Sequence, residues 1–293
     1  MKIKRKSIYV IFPLLIAITI ILFRPNNLSK KMDPEIYKKI KVISQKNIYF
    51  GHRSVGENII IGLNKIISEN GQNELIIKEL KDNSKFEGNY FIHSNIGNNG
   101  DPKSKFEEFT SIVNNLANKN LDIAMMKLCF VDITKNTNID DVFKSYVAMI
   151  DSLKNKYPDL TIIHFSVPLK SKPSLINNIK DIIKGRNNYD PQDNLARNKF
   201  NELLFSKYSK EDIFDLAEVE STYPDGKRES IIVDGKPCYF LIKDYTDDGG
   251  HLNESGRQTV AEKLIMKIFE RITLQNIELN HKLFSNNIKI LSR

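Results

Sequence analysis

Two distant stretches of this 293-residue chain hold the residue types needed for nucleophilic acyl chemistry. The first is Ile48-Tyr-Phe-Gly-His52-Arg-Ser54-Val-Gly, and the second is Asp248-Gly-Gly-His251-Leu-Asn-Glu-Ser-Gly256. A serine hydroxyl becomes a strong nucleophile when a base accepts its proton and a third group orients that base. Asp248 and His251, three residues apart, can bring a carboxylate and an imidazole together on one turn. Gly249 and Gly250 permit the sharp backbone this requires. Asp247 is a rival for the orienting role, one residue further from the histidine. Each stretch also has a plainer reading, Ser54 as the N-cap of a helix and Asp-Gly-Gly-His as a turn with a capping acid. Together they favour chemistry.

The surrounding elements must place these groups on one edge. An apolar run ends at Gly51, Ser54 follows, and Ile59, Ile60, Leu63, Ile66 and Ile67 then recur with a helical period. This predicts strand, tight turn and helix, with Ser54 beside backbone N–H groups able to stabilise an oxyanion. Strand or extended segments are expected over 74–80 and 86–96, leading into the loop Gly97-Asn98-Asn99-Gly100-Asp101. A helix over 102–118 follows, capped by Asp101 with Pro102 at its first position. Residues 121–131 are nearly all apolar, as in a strand buried on both faces. Residues 139–156 read as a helix, 160–167 as a buried strand, and 169–192 as a polar insertion or lid. Helix 194–208, a short strand over 213–216 and a hairpin over 231–242 turning at Asp234-Gly235 come next. A last helix buries Val260, Ala261, Leu264, Ile265, Ile268 and Phe269. Strands alternating with helices imply an α/β fold with a parallel sheet covered on both faces, whose ligand crevice lies at the carboxyl ends of the strands.

Taken together, the two stretches resemble the SGNH/GDSL hydrolase superfamily, whose marks are a serine in a first block and a D-x-x-H pair in a last block. The stretch from Asp248 to Gly256 is similar to that last block down to His-Leu-Asn and the following glycine. The resemblance covers about residues 46–272. It implies a three-layer α/β/α sandwich with a mainly parallel, flavodoxin-like sheet, no cofactor, and ester hydrolysis through an acyl-enzyme. Ser54 is then the nucleophile, His251 the base and Asp248 its orienting acid. The oxyanion donors it implies are the N–H of Ser54 and that of Gly97, with Gly100 in reserve. The first block departs from Gly-Asp-Ser-Leu, reading His52-Arg-Ser54-Val. The third block lacks its asparagine, reading Lys127-Leu-Cys-Phe-Val-Asp132, so either Asn98 or Asn99 replaces that donor or the oxyanion hole is reduced.

His52 and Asn98 are candidate substrate contacts, and Lys127 either joins them in the crevice or pairs with Asp132. A metal cluster of His52, His93 and His251 has no short ligand spacing to support it, so no metal is expected. Cys129 and Cys238 are too few for a disulfide-stapled scaffold. Of the net charge of +8, residues 1–33 hold seven Lys/Arg and one acid, leaving 37 basic against 35 acidic groups elsewhere. That excludes a nucleic-acid footprint. Lys2, Lys4, Arg5 and Lys6 precede an uncharged apolar run over 8–23, which reads as a signal anchor joining the chain to the membrane with the rest exported. The expected organisation is anchor and linker (1–33), hydrolase-like domain (34–272) and C-terminal helix or tail (273–293). The expected substrate is an acylated small molecule or an O-acetylated cell-surface glycan. Acyl transfer to a glycan, or a silent glycan-binding or envelope module on the same fold, are the alternatives.

Overall fold

The computed structural model describes residues 34–69, 75–81, 88–172 and 191–291, with side chains placed to residue 278. The anchor segment and most of the polar insertion lie outside the described residues. No helix among the described residues is long and apolar enough to cross a membrane.

Helix α1 (Pro34–Ile43) leads into strand β1 (Ile48–His52), and Ser54 separates β1 from α2 (Val55–Glu69). Strands β2 (Ile77–Glu79) and β3 (Phe91–Asn95) precede α3 (Pro102–Ala117), and β4 (Ile123–Met126) precedes α4 (Ile139–Lys156). Strand β5 (Thr161–Phe165), helix α5 (Pro191–Lys207), strand β6 (Ile213–Phe214) and helix α6 (Leu216–Ser221) follow. A hairpin of β7 (Ser230–Val233) and β8 (Lys236–Tyr239) leads to the last helix, α7 (Glu254–Leu291). The capping expected from sequence is present: the Ser104 N–H donates to the Asp101 carboxylate at 3.2 Å, with Pro102 opening α3. Asp234 and Gly235 turn the hairpin with φ of 49° and 76°, the left-handed pair that a tight two-residue turn needs.

Six strands form one parallel sheet in the order β2-β3-β1-β4-β5-β6. After β1 the chain passes to one side of it for β2 and β3 and then to the other for β4, β5 and β6, and a crevice opens at the carboxyl end of a strand from which the crossovers diverge like that. Helices α3, α4 and α5 pack successively on one face, and α1 and α2 pack on α7 on the other. Tyr49, Ile92, Ala124, Met126 and Ile162 join the α3–α5 core. Phe50, with His52 and Phe165 against its ring, points to the opposite face, as strand alternation requires. This is the three-layer, flavodoxin-like arrangement that the sequence implied.

Three boundaries differ from expectation, each for a local reason. The strand expected over 121–131 stops at Met126, because the Asp132 carboxylate accepts the Cys129 N–H at 2.6 Å and folds the following residues into a turn. The strand expected over 213–216 stops at Phe214, because Asp215 caps α6 by accepting the Glu218 N–H at 3.0 Å. The final helix runs unbroken through the boundary expected near 272. Cys129 and Cys238 are buried free thiols.

Helix α2 reaches α7 through Gly62, where an added Cβ would lie 2.4 Å from the Arg257 carbonyl oxygen and 2.9 Å from the Ala261 Cβ. Gly62→Ala is expected to lower unfolding free energy by about 1–3 kcal/mol, the usual cost of overpacking. Urea denaturation measures it, and an unchanged midpoint would mean the two helices separate freely.

Candidate active site

Ser54 stands on the turn from β1 into α2 with φ at 57°, a left-handed conformation that costs a non-glycine residue about 1–3 kcal/mol. Its carbonyl, not its side chain, serves the helix start, accepting the Glu57 N–H at 2.8 Å. The hydroxyl instead lies 2.5 Å from Nε2 of His251, across 197 residues of sequence. The plain capping reading of this serine therefore fails. Among the described residues, no protein acceptor takes the Ser54 N–H.

Asp248 completes the relay. Its Oδ2 lies 2.6 Å from His251 Nδ1, while its Oδ1 accepts the N–H groups of Gly250 at 2.9 Å and His251 at 2.8 Å. Desolvation opposes ionisation here, but the His251 N–H, the imidazole and the Gly250 N–H outweigh it and hold the carboxyl below the usual carboxylate range. With a carboxylate on Nδ1, the neutral ring carries its proton there and turns a lone pair on Nε2 toward the serine. Asp247, the rival, accepts instead from the Asn253 amide at 3.4 Å.

Glycines set the loop. Gly249 adopts φ of 86°, and a Cβ at Gly250 would come within 3.0 Å of the Phe130 ring. The Leu252 N–H donates to Asn58 Oδ1 of α2 at 3.0 Å, tying the histidine loop to the helix that follows Ser54. Asn253 caps α7 by accepting the Gly256 N–H at 3.1 Å. On the other side Ser171 N–H donates to the Gly249 carbonyl at 3.0 Å.

The other expected site residues fare differently. Gly97 does not offer an oxyanion donor: its N–H donates to Glu108 at 2.7 Å, and its φ of 51° serves a close approach to Lys105. Gly100, the reserve, gives its N–H to Asp132 at 2.8 Å. Asn98 is exposed, with its backbone engaged by Ser104 and Asp101. Asn99 remains as a donor: its Oδ1 accepts from Lys105 Nζ at 3.2 Å, and its NH2 has no protein acceptor among the described residues. Lys127 is not in the crevice; it is fully buried, with Nζ 3.0 Å from the Leu128 carbonyl oxygen and 3.6 Å from Cys129 Sγ, and burial depresses its pKa. Nor does it pair with Asp132, whose partner is the buried Lys105 at 2.5 Å. His52 is fully buried and cannot meet substrate; its Nε2 lies 2.9 Å from His93 Nδ1, and burial pushes its pKa down to about 2.

Sequence reasoning missed Phe130, Lys105 and Asn58. Phe130 meets the His251 ring edge-on at 5.6 Å, and its carbonyl accepts from Arg197 at 2.8 Å. Lys105 and Asn58 both interrupt apolar stripes of amphipathic helices, at positions where a polar residue needs a buried partner. That interruption was the available signal.

No protein-family model and no curated protein matches the sequence. Several solved structures resemble the fold. A carbohydrate esterase family 3 protein from Talaromyces cellulolyticus has 15% identity and a TM-score of 0.44, the alignment covering 78% of this chain and 97% of that one. A family 3 carbohydrate esterase from Clostridium thermocellum has 15% identity and a TM-score of 0.41, over 78% and 98% of the two chains. The periplasmic domain of a lipopolysaccharide acetyltransferase from Salmonella ser. Paratyphi A has 12% identity and a TM-score of 0.42, over 81% and 89%. Likenesses this distant do not assign an activity.

The left-handed backbone at Ser54 can be weighed directly. Ser54→Gly and Ser54→Ala both remove the hydroxyl, but only glycine relieves the strain. Ser54→Gly is expected to be more stable than Ser54→Ala by about 1 kcal/mol in thermal or urea unfolding. The opposite order would mean that the turn is unstrained.

Proposed function

We propose that the chain is a serine esterase of the SGNH type, acting on acyl esters outside the cytoplasmic membrane. One observation carries this reading: the continuous contact from Asp248 through His251 to the Ser54 hydroxyl, at 2.6 and 2.5 Å. Ser54 Oγ attacks the acyl carbonyl carbon as His251 Nε2 takes its proton. The charge that gathers on the carbonyl oxygen is met by the Ser54 N–H and, in this proposal, by the Asn99 amide. Collapse breaks the ester bond, and the imidazolium returns its proton to the departing alcohol oxygen. Water, deprotonated by the same nitrogen, then releases the acid and restores Ser54. Asp248 stays ionised throughout and stabilises the imidazolium.

An O-acetyl group on a cell-surface glycan suits the exported location read from residues 1–23. The esterase and acetyltransferase names among the distant structural likenesses are compatible with that class. A silent binding module is disfavoured, because such a module has no use for a strained serine turned toward a carboxylate-oriented histidine.

Turnover of p-nitrophenyl acetate by the purified protein tests the reading. Ser54→Ala and His251→Ala are each expected to reduce kcat by about 10,000-fold or more, and Asn99→Ala by about 100-fold, the usual worth of one oxyanion donor. Activity retained in Ser54→Ala would end the assignment, and activity unchanged in Asn99→Ala would remove Asn99 from the oxyanion hole.

A further inference from the structure

Behind the nucleophile, three potential metal ligands converge from three elements that the catalytic relay does not use. His52 ends β1, His93 lies in β3, and Glu57 sits in the first turn of α2. One nitrogen of each imidazole and one carboxylate oxygen all lie within 4.8 Å of one another. His52 and His93 project from the same face of neighbouring strands, two register positions apart, since His93 pairs with Phe50. Their rings stack with centroids 5.1 Å apart.

A simple hydrogen-bonded histidine pair does not account for the whole cluster. Nδ1 of His52 is buried and without a partner whichever ring donates across the 2.9 Å contact, and stays so with an ion on Nε2, so it is the carboxylate beside the rings that the pair leaves unused. The Glu57 carboxylate is exposed and has no protein donor among the described residues. Burial keeps both rings unprotonated, while the carboxylates of Glu57 and Glu79 make the surroundings of His93 more negative. Two neutral imidazoles with a carboxylate are a donor set that zinc and its neighbours among divalent ions accept, with water completing the shell. Two nitrogens on a tetrahedral zinc stand about 3.3 Å apart, given Zn–N bonds of about 2.05 Å. Admitting the ion requires the 2.9 Å contact to open and both nitrogens to turn their lone pairs toward it.

We propose that His52, His93 and Glu57 form a binding site for a divalent ion of the zinc class. His52 lies two residues before Ser54 and Glu57 three residues after it, so the ion staples both sides of the nucleophile's turn. Coordination through Nε2 moves the His52 proton to the partnerless Nδ1, which makes this a weaker site than a structural centre with four protein ligands. The proposal is independent of esterase activity, because binding is read directly.

The test is titration of the metal-free full-length protein with zinc chloride alone, by calorimetry and against a chromophoric chelator, alongside thermal unfolding. The expected result is one zinc ion per chain and a raised Tm. His93→Gln and Glu57→Gln should each weaken binding by about tenfold or more, while Ser54→Ala and His251→Ala retain it. Glu57 is exposed, so its variant keeps the test intact where His93→Gln fails to fold. No zinc binding by the folded protein, binding undiminished in Glu57→Gln, or binding lost in His251→Ala would each overturn the proposal.

Discussion

The packing of α2 against α7 is the constraint on which the rest of this structure depends. Each helix begins just after one half of the chemistry, Ser54 before α2 and His251 before α7. Bringing their first turns together is therefore what closes a 2.5 Å contact across 197 residues. Gly62 permits the approach, and Asn58 locks it by accepting the Leu252 N–H inside the interface. The Lys65–Glu254 ion pair at the surface of the same junction is a weaker addition, since it is exposed to solvent. Neither stretch becomes a site alone. The sheet supplies the direction, since β1 lies between the β2–β3 pair and the β4–β6 strands, and its carboxyl end is where the crevice must open.

A second layer fixes the corner in which an oxyanion would sit. Lys105 and Asp132 form a buried ion pair, and Asp132 also accepts from the N–H groups of Gly100 and Cys129. Lys105 Nζ reaches on to Asn99 Oδ1. Two charges removed from water are tolerated only when their remaining hydrogen-bonding capacity is met, and here it is met by the backbone of two loops. The loop after β3 and the loop after β4 are thus tied to one carboxylate. Cys129 Sγ, 3.5 Å from the Arg53 carbonyl oxygen, joins that unit to the turn that carries Ser54. The same arrangement occupies the N–H of Gly100, as Glu108 occupies that of Gly97.

What was legible in the sequence was local. The Asp-Gly-Gly-His turn, the Asp101–Pro102 cap and the Asp234–Gly235 hairpin each encode their geometry within a few residues, and the alternation of strand and helix encodes the layers. What was not legible depended on long-range partners. Gly97 looked available until Glu108, from the second turn of α3, proved to occupy its N–H. Lys127 lies in an apolar run and Lys105 on the buried stripe of α3, and nothing in their spacing says which one meets Asp132. His52 lies two residues before Ser54, but it ends β1 with its ring buried beside Gly56 of α2, while Ser54 stands beyond the strand in a left-handed turn with φ of 57°. Proximity in sequence was a poor guide there, because the turn between them breaks the alternation of the strand.

The most direct measurement is the site of covalent capture by a fluorophosphonate, read by intact-protein and peptide mass spectrometry. A serine activated by His251 is expected to take one adduct, on the peptide carrying Ser54, and to lose it in His251→Ala. An adduct on another serine, or equal labelling of Ser54 without His251, would contradict the account.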